Sequence, residues 1–214
     1  MTDPALVQYY KDRAKEYDKL YAREDRQDAL RESAAIIRSI FSGKEVFEVA
    51  CGTGWWTQHI SQTAKNIRAT DINPDMLAVA KTKHYGPAPV AFATHNLYDG
   101  SKHKHESLFA GFFWSHILLQ ERATFIDVIN GHVRKGGTVV FIDNLFAEGS
   151  NLPITETDPQ GNTYQTRKLE NGNEFKVLKN FPTEHELLNV LQGKATEIKY
   201  TALQYYWILE YKTV

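Results

Sequence analysis

The chain has 214 residues, 42% hydrophobic and 24% charged, with a net charge of −1. That balance describes one globular domain, long enough to bury a core, and it argues against a nucleic-acid or anionic-membrane partner. A single cysteine rules out an intramolecular disulfide and fits a reducing cytoplasm. The polar start lacks the apolar core of a signal peptide, and the longest apolar run, Phe109 to Leu119, is too short for a membrane span, which needs about 20 apolar residues.

Leu6, Tyr10, Arg13, Tyr17 and Leu20 recur at steps of three and four, predicting one helical face behind an Asp3–Pro4 cap. A second helix is predicted from Asp25 to Phe41, with Leu30, Ala34, Ile37 and Phe41 inward and Gly43 ending it. Strands and helices then alternate. Val46 to Val49 reads as a strand, Trp55 to Ala64 as a helix, Ile67 to Asp71 as a strand, and Pro74 to Lys83 as a helix capped by Asn73. Val90 to Thr94 and Leu108 to Trp114 are further strands, the latter nearly all apolar, as in the middle of a parallel sheet. Arg122 to Val133 is a helix, and Gly136-Gly137 turns into a strand from Thr138 to Ile142.

The pattern changes after Phe146. Residues 147–163 read as loop, and Tyr164 to Leu169 and Phe175 to Leu178 flank Asn171-Gly172-Asn173, a hairpin signal. Glu184 to Leu191 is a short helix, and Thr196 to Leu203 with Tyr205 to Lys212 form an antiparallel pair. The expectation is one three-layer α/β domain with helices on both faces of the sheet.

Val46 to Gly54 is an apolar run ending in a glycine-rich turn, and Asp71 ends the next strand 23 positions after Glu48. This spacing fits a βαβ unit with a ligand at its top. A dinucleotide fingerprint would need glycines at three places, but Thr57 stands at the third, and Trp55 and Trp56 are bulky where a pyrophosphate would approach. A nicotinamide dinucleotide is therefore disfavoured, whereas a ligand with a ribose and no phosphate is accommodated.

With Glu48-Val49-Ala50-Cys51-Gly52-Thr53-Gly54, Asp71 and Gly136-Gly137 in place, residues 5–146 and the closing strand pair resemble the class I S-adenosylmethionine-dependent methyltransferases of small-molecule type. Ala50 replaces the first glycine of the family's motif. The resemblance implies a Rossmann-like, doubly wound, mostly parallel sheet of seven strands in the order 3-2-1-4-5-7-6, with an antiparallel final pair. It also implies S-adenosylmethionine as cofactor and S-adenosylhomocysteine as product. The implied cofactor contacts are Glu48, Ala50, Gly52, Gly54 and Trp55 from the turn, and Asp71 for the ribose hydroxyls. Ile72 and Met76 follow, with Asn96 and Leu97 for the adenine and Trp114 and Ser115 after the fourth strand. Tyr10, Arg13 and Tyr17 look like the lid helix of such enzymes. The implied organisation is a single domain: lid helices over 1–42, cofactor core over 43–146, acceptor-pocket loop and hairpin over 147–182, and closing elements over 183–214.

His116, just past the fourth strand, is the candidate base; an unperturbed imidazole titrates near 6.5, which suits proton removal. Catechol-type relatives hold magnesium with an Asp-Asn pair after the fifth strand, as at Asp143-Asn144, but the accompanying acid after the fourth strand is absent, so no metal is expected. His103-Lys104-His105 reads as a solvated loop, and Cys51 as a small residue of the turn. Tyr164, Arg167, Lys168, Lys176 and Phe181 make an aromatic or anionic acceptor conceivable. The reading is methyl transfer to a small molecule. The alternatives are another reaction of the same cofactor or a non-catalytic binding module. The acceptor, the methylated atom and the oligomeric state stay open.

Overall fold

A computed structural model describes residues 3–101 and 103–214. Its centre is a seven-stranded sheet made of β1 (Glu45–Val49), β2 (Asn66–Asp71), β3 (Val90–Thr94), β4 (His105–Gly111), β5 (Val133–Asn144), β9 (Ala195–Ala202) and β10 (Tyr206–Thr213). The order is β3-β2-β1-β4-β5-β10-β9, and only β10 is reversed, pairing antiparallel with both β5 and β9. Counting the sheet's own strands, this is the expected 3-2-1-4-5-7-6. A small antiparallel sheet, β6 (Glu156–Thr157), β7 (Thr163–Lys168) and β8 (Glu174–Leu178), stands apart from it.

Strand periodicity sorts the core into two layers. Phe47, Val49, Leu108, Ala110, Val139 and Phe141 face α5 (Arg122–His132) and α6 (Glu184–Val190). Val46, Phe109, Val140 and Ile142 face α2 (Gln27–Ile40) and α3 (Trp55–Ile60). Leu30, Ala34, Ile37 and Phe41 are buried as expected, and α4 (Pro74–Ala80) starts on the Asn73 cap, whose Oδ1 accepts the Asp75 amide at 3.0 Å. Among the described residues no helix is long and apolar enough to cross a membrane.

Several elements differ from expectation: α3 and α4 end early, β6 forms within the predicted loop 147–163, and His105, read as part of a solvated loop, opens β4 and stacks on Phe47. The first helix, α1 (Pro4–Arg13), stops short, and Tyr17–Ala22 forms a separate 3-10 turn that leaves Leu20 exposed. The fourth strand ends at Gly111 because Phe112 turns left-handed (φ 56), so Trp114–His116 is a 3-10 turn rather than strand. The fifth strand starts at Val133, which pairs with His105 ahead of an irregularity; regular pairing resumes at Ser107–Thr138. α1 and the small sheet share a third cluster around Tyr9, Leu169 and Val177. Together they stand over the carboxyl ends of β1, β2, β4 and β5, the edge where open α/β sheets carry ligands.

Candidate active site

The glycine turn after β1 has its backbone fixed in the left-handed region at Gly52 (φ 55) and Gly54 (φ 78). A Cβ on Gly54 would stand 2.5 Å from Tyr85 Oη, so only glycine fits there. Over Gly52 the nearest atoms are Met76 Cε and a Tyr17 ring carbon, which brings both predicted residues to the turn. Ala50, at the motif's first glycine, is itself left-handed (φ 50).

Asp71 ties the turn to β2. One carboxylate oxygen accepts the Gly52 amide and the other the Asn73 amide, both at 2.8 Å. Burial pushes its pKa up, against those two amide bonds. Glu48 is placed differently from Asp71. Its position in β1 directs it under α3, where Thr57 Oγ1 donates to Oε2 at 2.7 Å. Thr57 therefore serves as the partner of a buried acid at the very position where a dinucleotide fold carries glycine. Burial raises Glu48 to about 8, so it is largely protonated at neutral pH; like Asp71, it is not among the residues lining either cavity described below.

On the adenosine side lies a cavity of about 260 Å³ walled by Ala50, Ile72, Asn96, Leu97, Leu6 and Phe113. Asn96 Oδ1 accepts the Tyr98 amide at 3.1 Å. His95 lines this cavity, and its Nε2 is buried without a hydrogen-bond partner. Apolar walls, an orphaned polar atom and the Asp71 carboxylate beside a glycine turn fit a phosphate-free nucleoside. Trp55 lies outside this cavity, stacked on Tyr21 at 4.4 Å. Trp114, expected near the cofactor, sits instead in the core between Phe125, Phe141 and Trp207, because the left-handed Phe112 turns the chain back onto the sheet.

A second cavity, about 550 Å³, lies on the lid side against Tyr10, Arg13, Tyr17, Arg167 and Lys179. His116 walls both cavities. Its Nδ1 lies 2.6 Å from the Leu178 carbonyl oxygen, which can only accept, so Nδ1 carries the proton. Nε2 is left as acceptor for the Tyr10 hydroxyl at 2.7 Å. Burial, then Lys179 and Arg167, lower His116 to about 3. The imidazole expected to titrate near neutrality is thus held neutral.

Behind His116 the backbone amide of Ser115 donates to Asp143 at 2.9 Å, and Lys179 Nζ donates to Ser115 Oγ at 2.6 Å and to Asp143 at 3.0 Å. Burial would raise Asp143, but Lys179 and the Ser115 amide outweigh it and hold the carboxyl below its usual range. The Lys179 ammonium is thus the cation paired with Asp143, and among the described residues no cluster of three or more His, Cys, Asp and Glu could hold a metal ion. Lys179 and the buried Arg26 were not singled out from sequence; isolated cations in polar or helical stretches carry no motif. Of the other acceptor-side candidates, Arg167 and Lys168 line the cavity, Tyr164 lines the adenosine side, Lys176 pairs with Glu156 at 2.6 Å, and Phe181 packs on Phe146.

Residues 46–137 match the family model described as a methyltransferase domain. No curated protein sequence matches the chain. Solved structures give the fold. The structure titled DhpI-SAM-HEP complex superposes with a TM-score of 0.80 at 23% identity, over 99% of this chain and 100% of that one. SAM-bound CalS10, an amino pentose methyltransferase from Micromonospora echinaspora, gives 0.61 at 16% identity, over 92% and 96%. The SAH-bound magnesium protoporphyrin IX methyltransferase of Synechocystis PCC 6803 gives 0.59 at 17%, over 88% and 83%. The protein has the class I fold of S-adenosylmethionine-dependent enzymes.

Proposed function

We propose that the protein, a methyltransferase by domain and fold, moves the methyl group of S-adenosylmethionine to a small-molecule acceptor held under α1 and the β6–β8 sheet. The observation that carries this reading is the meeting of two cavities at one residue, His116: a nucleoside-sized one against Asp71's strand and a larger one under the lid. The cofactor supplies an already activated methyl. The chain's task is binding, orientation and exclusion of water.

In this reading Asp71 takes the ribose hydroxyls, and Ile72, Asn96 and Leu97 take the adenine. The Gly52–Gly54 turn admits the methionine end, with Tyr17 and Met76 closing over it. Ala50 shapes the wall. Glu48 holds α3 in place through Thr57 rather than touching the ligand. Trp55 anchors the lid through Tyr21. His116 orients Tyr10, whose ring stands at the junction. The cavity volumes and the net charge of −1 support a small acceptor over a nucleic acid, and the one buried cysteine suits a cytoplasmic setting.

Calorimetric titration with S-adenosylhomocysteine tests the cofactor half. Wild type is expected to bind with an affinity typical of such sites, between about 1 μM and 1 mM, and Asp71→Ala to lose roughly 100-fold, since it removes both the ribose acceptor and the tie to Gly52. Unchanged affinity in Asp71→Ala would remove this reading. A labelled-methyl screen over a metabolite extract then identifies the acceptor.

A further inference from the structure

The lid-side cavity holds positive charge that the chain does not neutralise. Seven cationic side chains line it against two carboxylates, Glu16 and Glu170. Each nearby carboxylate already has a partner. Glu16 accepts the Glu170 amide at 3.2 Å, and Glu170 pairs with Lys19. Asp25 pairs with Arg23 at 2.7 Å and Arg26 at 3.4 Å, and Asp143 with Lys179 at 3.0 Å.

Arg13 and Arg167 remain. Among the described residues neither guanidinium has a carboxylate within 4.0 Å. Both donate instead from Nη1 to the same Tyr9 hydroxyl oxygen, Arg167 at 3.4 Å. Arg167 Nε is buried with no hydrogen-bond partner. The two come from distant parts of the chain, the end of α1 and the middle of β7. Two like charges drawn together on one neutral phenol, one with an unused buried donor, form an arrangement completed by an anion. The planar guanidinium fork suits two oxygens of one group.

His116 supplies the second observation. Its one basic nitrogen already accepts the Tyr10 proton, and its surroundings disfavour taking another. A neutral alcohol would need a base at this junction; an oxygen that arrives charged needs none.

We propose that the acceptor is a small oxoanion, a carboxylate or phosphoryl compound, held by Arg13 and Arg167, and that one of its own charged oxygens receives the methyl. This rests on the methyltransferase reading above. An O–C bond forms as the S–C bond breaks, and the bonding pair stays on sulfur. The sulfonium charge and one oxygen charge cancel, and no proton is released.

Titrating inorganic phosphate, and separately acetate, into the full chain saturated with S-adenosylhomocysteine tests the site. Saturable binding is expected: phosphate alone indicates a phosphoryl acceptor, acetate alone a carboxylate, and both a shared oxoanion site. Arg167→Gln and Arg13→Gln should each weaken it roughly 30-fold. Arg167→Lys keeps the charge, loses the fork and should recover only part. Thermal melts identify the folded variants, and S-adenosylhomocysteine affinity should stay within about twofold in Arg167→Gln, which lies outside the adenosine-side cavity. Binding of neither anion, or binding indifferent to both glutamine substitutions, overturns the proposal. So does labelled-methyl transfer to amides or alcohols with the matching acids inert. If wild type fails to bind S-adenosylhomocysteine, it is the methyltransferase reading that falls, and the same titrations on the ligand-free chain still decide the anion site.

Discussion

The two cavities that meet at His116 are built in opposite ways. The adenosine side is mostly backbone: a left-handed turn at Gly52 and Gly54, an Asp71 carboxylate held by two amides, and walls from Val49, Ala50, Thr70, Ile72 and residues 95–98. The lid side is mostly side-chain charge, gathered from α1, the segment between α1 and α2, β7 and the segment after β8. Where the ligand is common to a fold class, its site can be written into a few turns. Where the ligand is particular to one enzyme, its site is assembled from whatever the peripheral elements deliver.

Three substitutions bear on that contrast. Lys179→Met leaves the Asp143 carboxylate buried without its counterion and should cost about 3–5 kcal/mol in urea denaturation, with Asp143→Leu alongside it recovering part of the loss. Equal stability of Lys179→Met and wild type would show that the ion pair is not a structural element of the lid side. Glu48→Gln addresses the adenosine side. Glu48 sits at about 8 when folded against an ordinary value of 4.5. Its contribution is therefore complete below about pH 4.5 and is lost as pH rises through about 8. Glutamine removes that slope, so the stability difference between variant and wild type should grow by about 2 kcal/mol from pH 6 to 8. A constant difference would refute the buried neutral acid. His116→Gln acts at the boundary. Turnover should drop about tenfold through loss of Tyr10 positioning, with the same pH–rate shape as wild type from pH 5.5 to 8.5. A wild-type inflection near 6–7 that vanishes in the variant would restore His116 as a base.

The same contrast explains what could be read from residues alone. The βαβ spacing of Glu48 and Asp71, the Asn73 cap and the burial of Leu30, Ala34, Ile37 and Phe41 depend on local periodicity and capping, and the structure has them where expected. Asp71, Ile72, Asn96 and Leu97 follow strand ends, so a motif locates them. Glu48 shares that motif, yet strand parity turns it toward Thr57, a partner nine positions on across a layer of the fold. The family resemblance implies Trp114 at the site, but a single left-handed residue, Phe112, diverts it into the core. Lys179 and Arg26 gave no signal because their meaning lies in long-range partners, Asp143 and Ser150. The low basicity of His116 is likewise a property of its tertiary surroundings, Lys179 and Arg167 above all after burial.

Helix α1 touches both halves of the site. Asn73, at the head of α4 beside Asp71, donates to the Val7 carbonyl at 3.2 Å, while Tyr9 packs against Phe175 of β8 at 5.4 Å and gathers the two arginines. A ten-residue helix tied to both halves of the site is a thermodynamic bridge. Whatever free energy the donor spends or gains in seating α1 is shared with the acceptor, so each ligand must alter the other's affinity by the same factor. Order of addition can change the path to the ternary complex but not its total stability, and the amides of residues 4–13 should exchange most slowly when both ligands are bound.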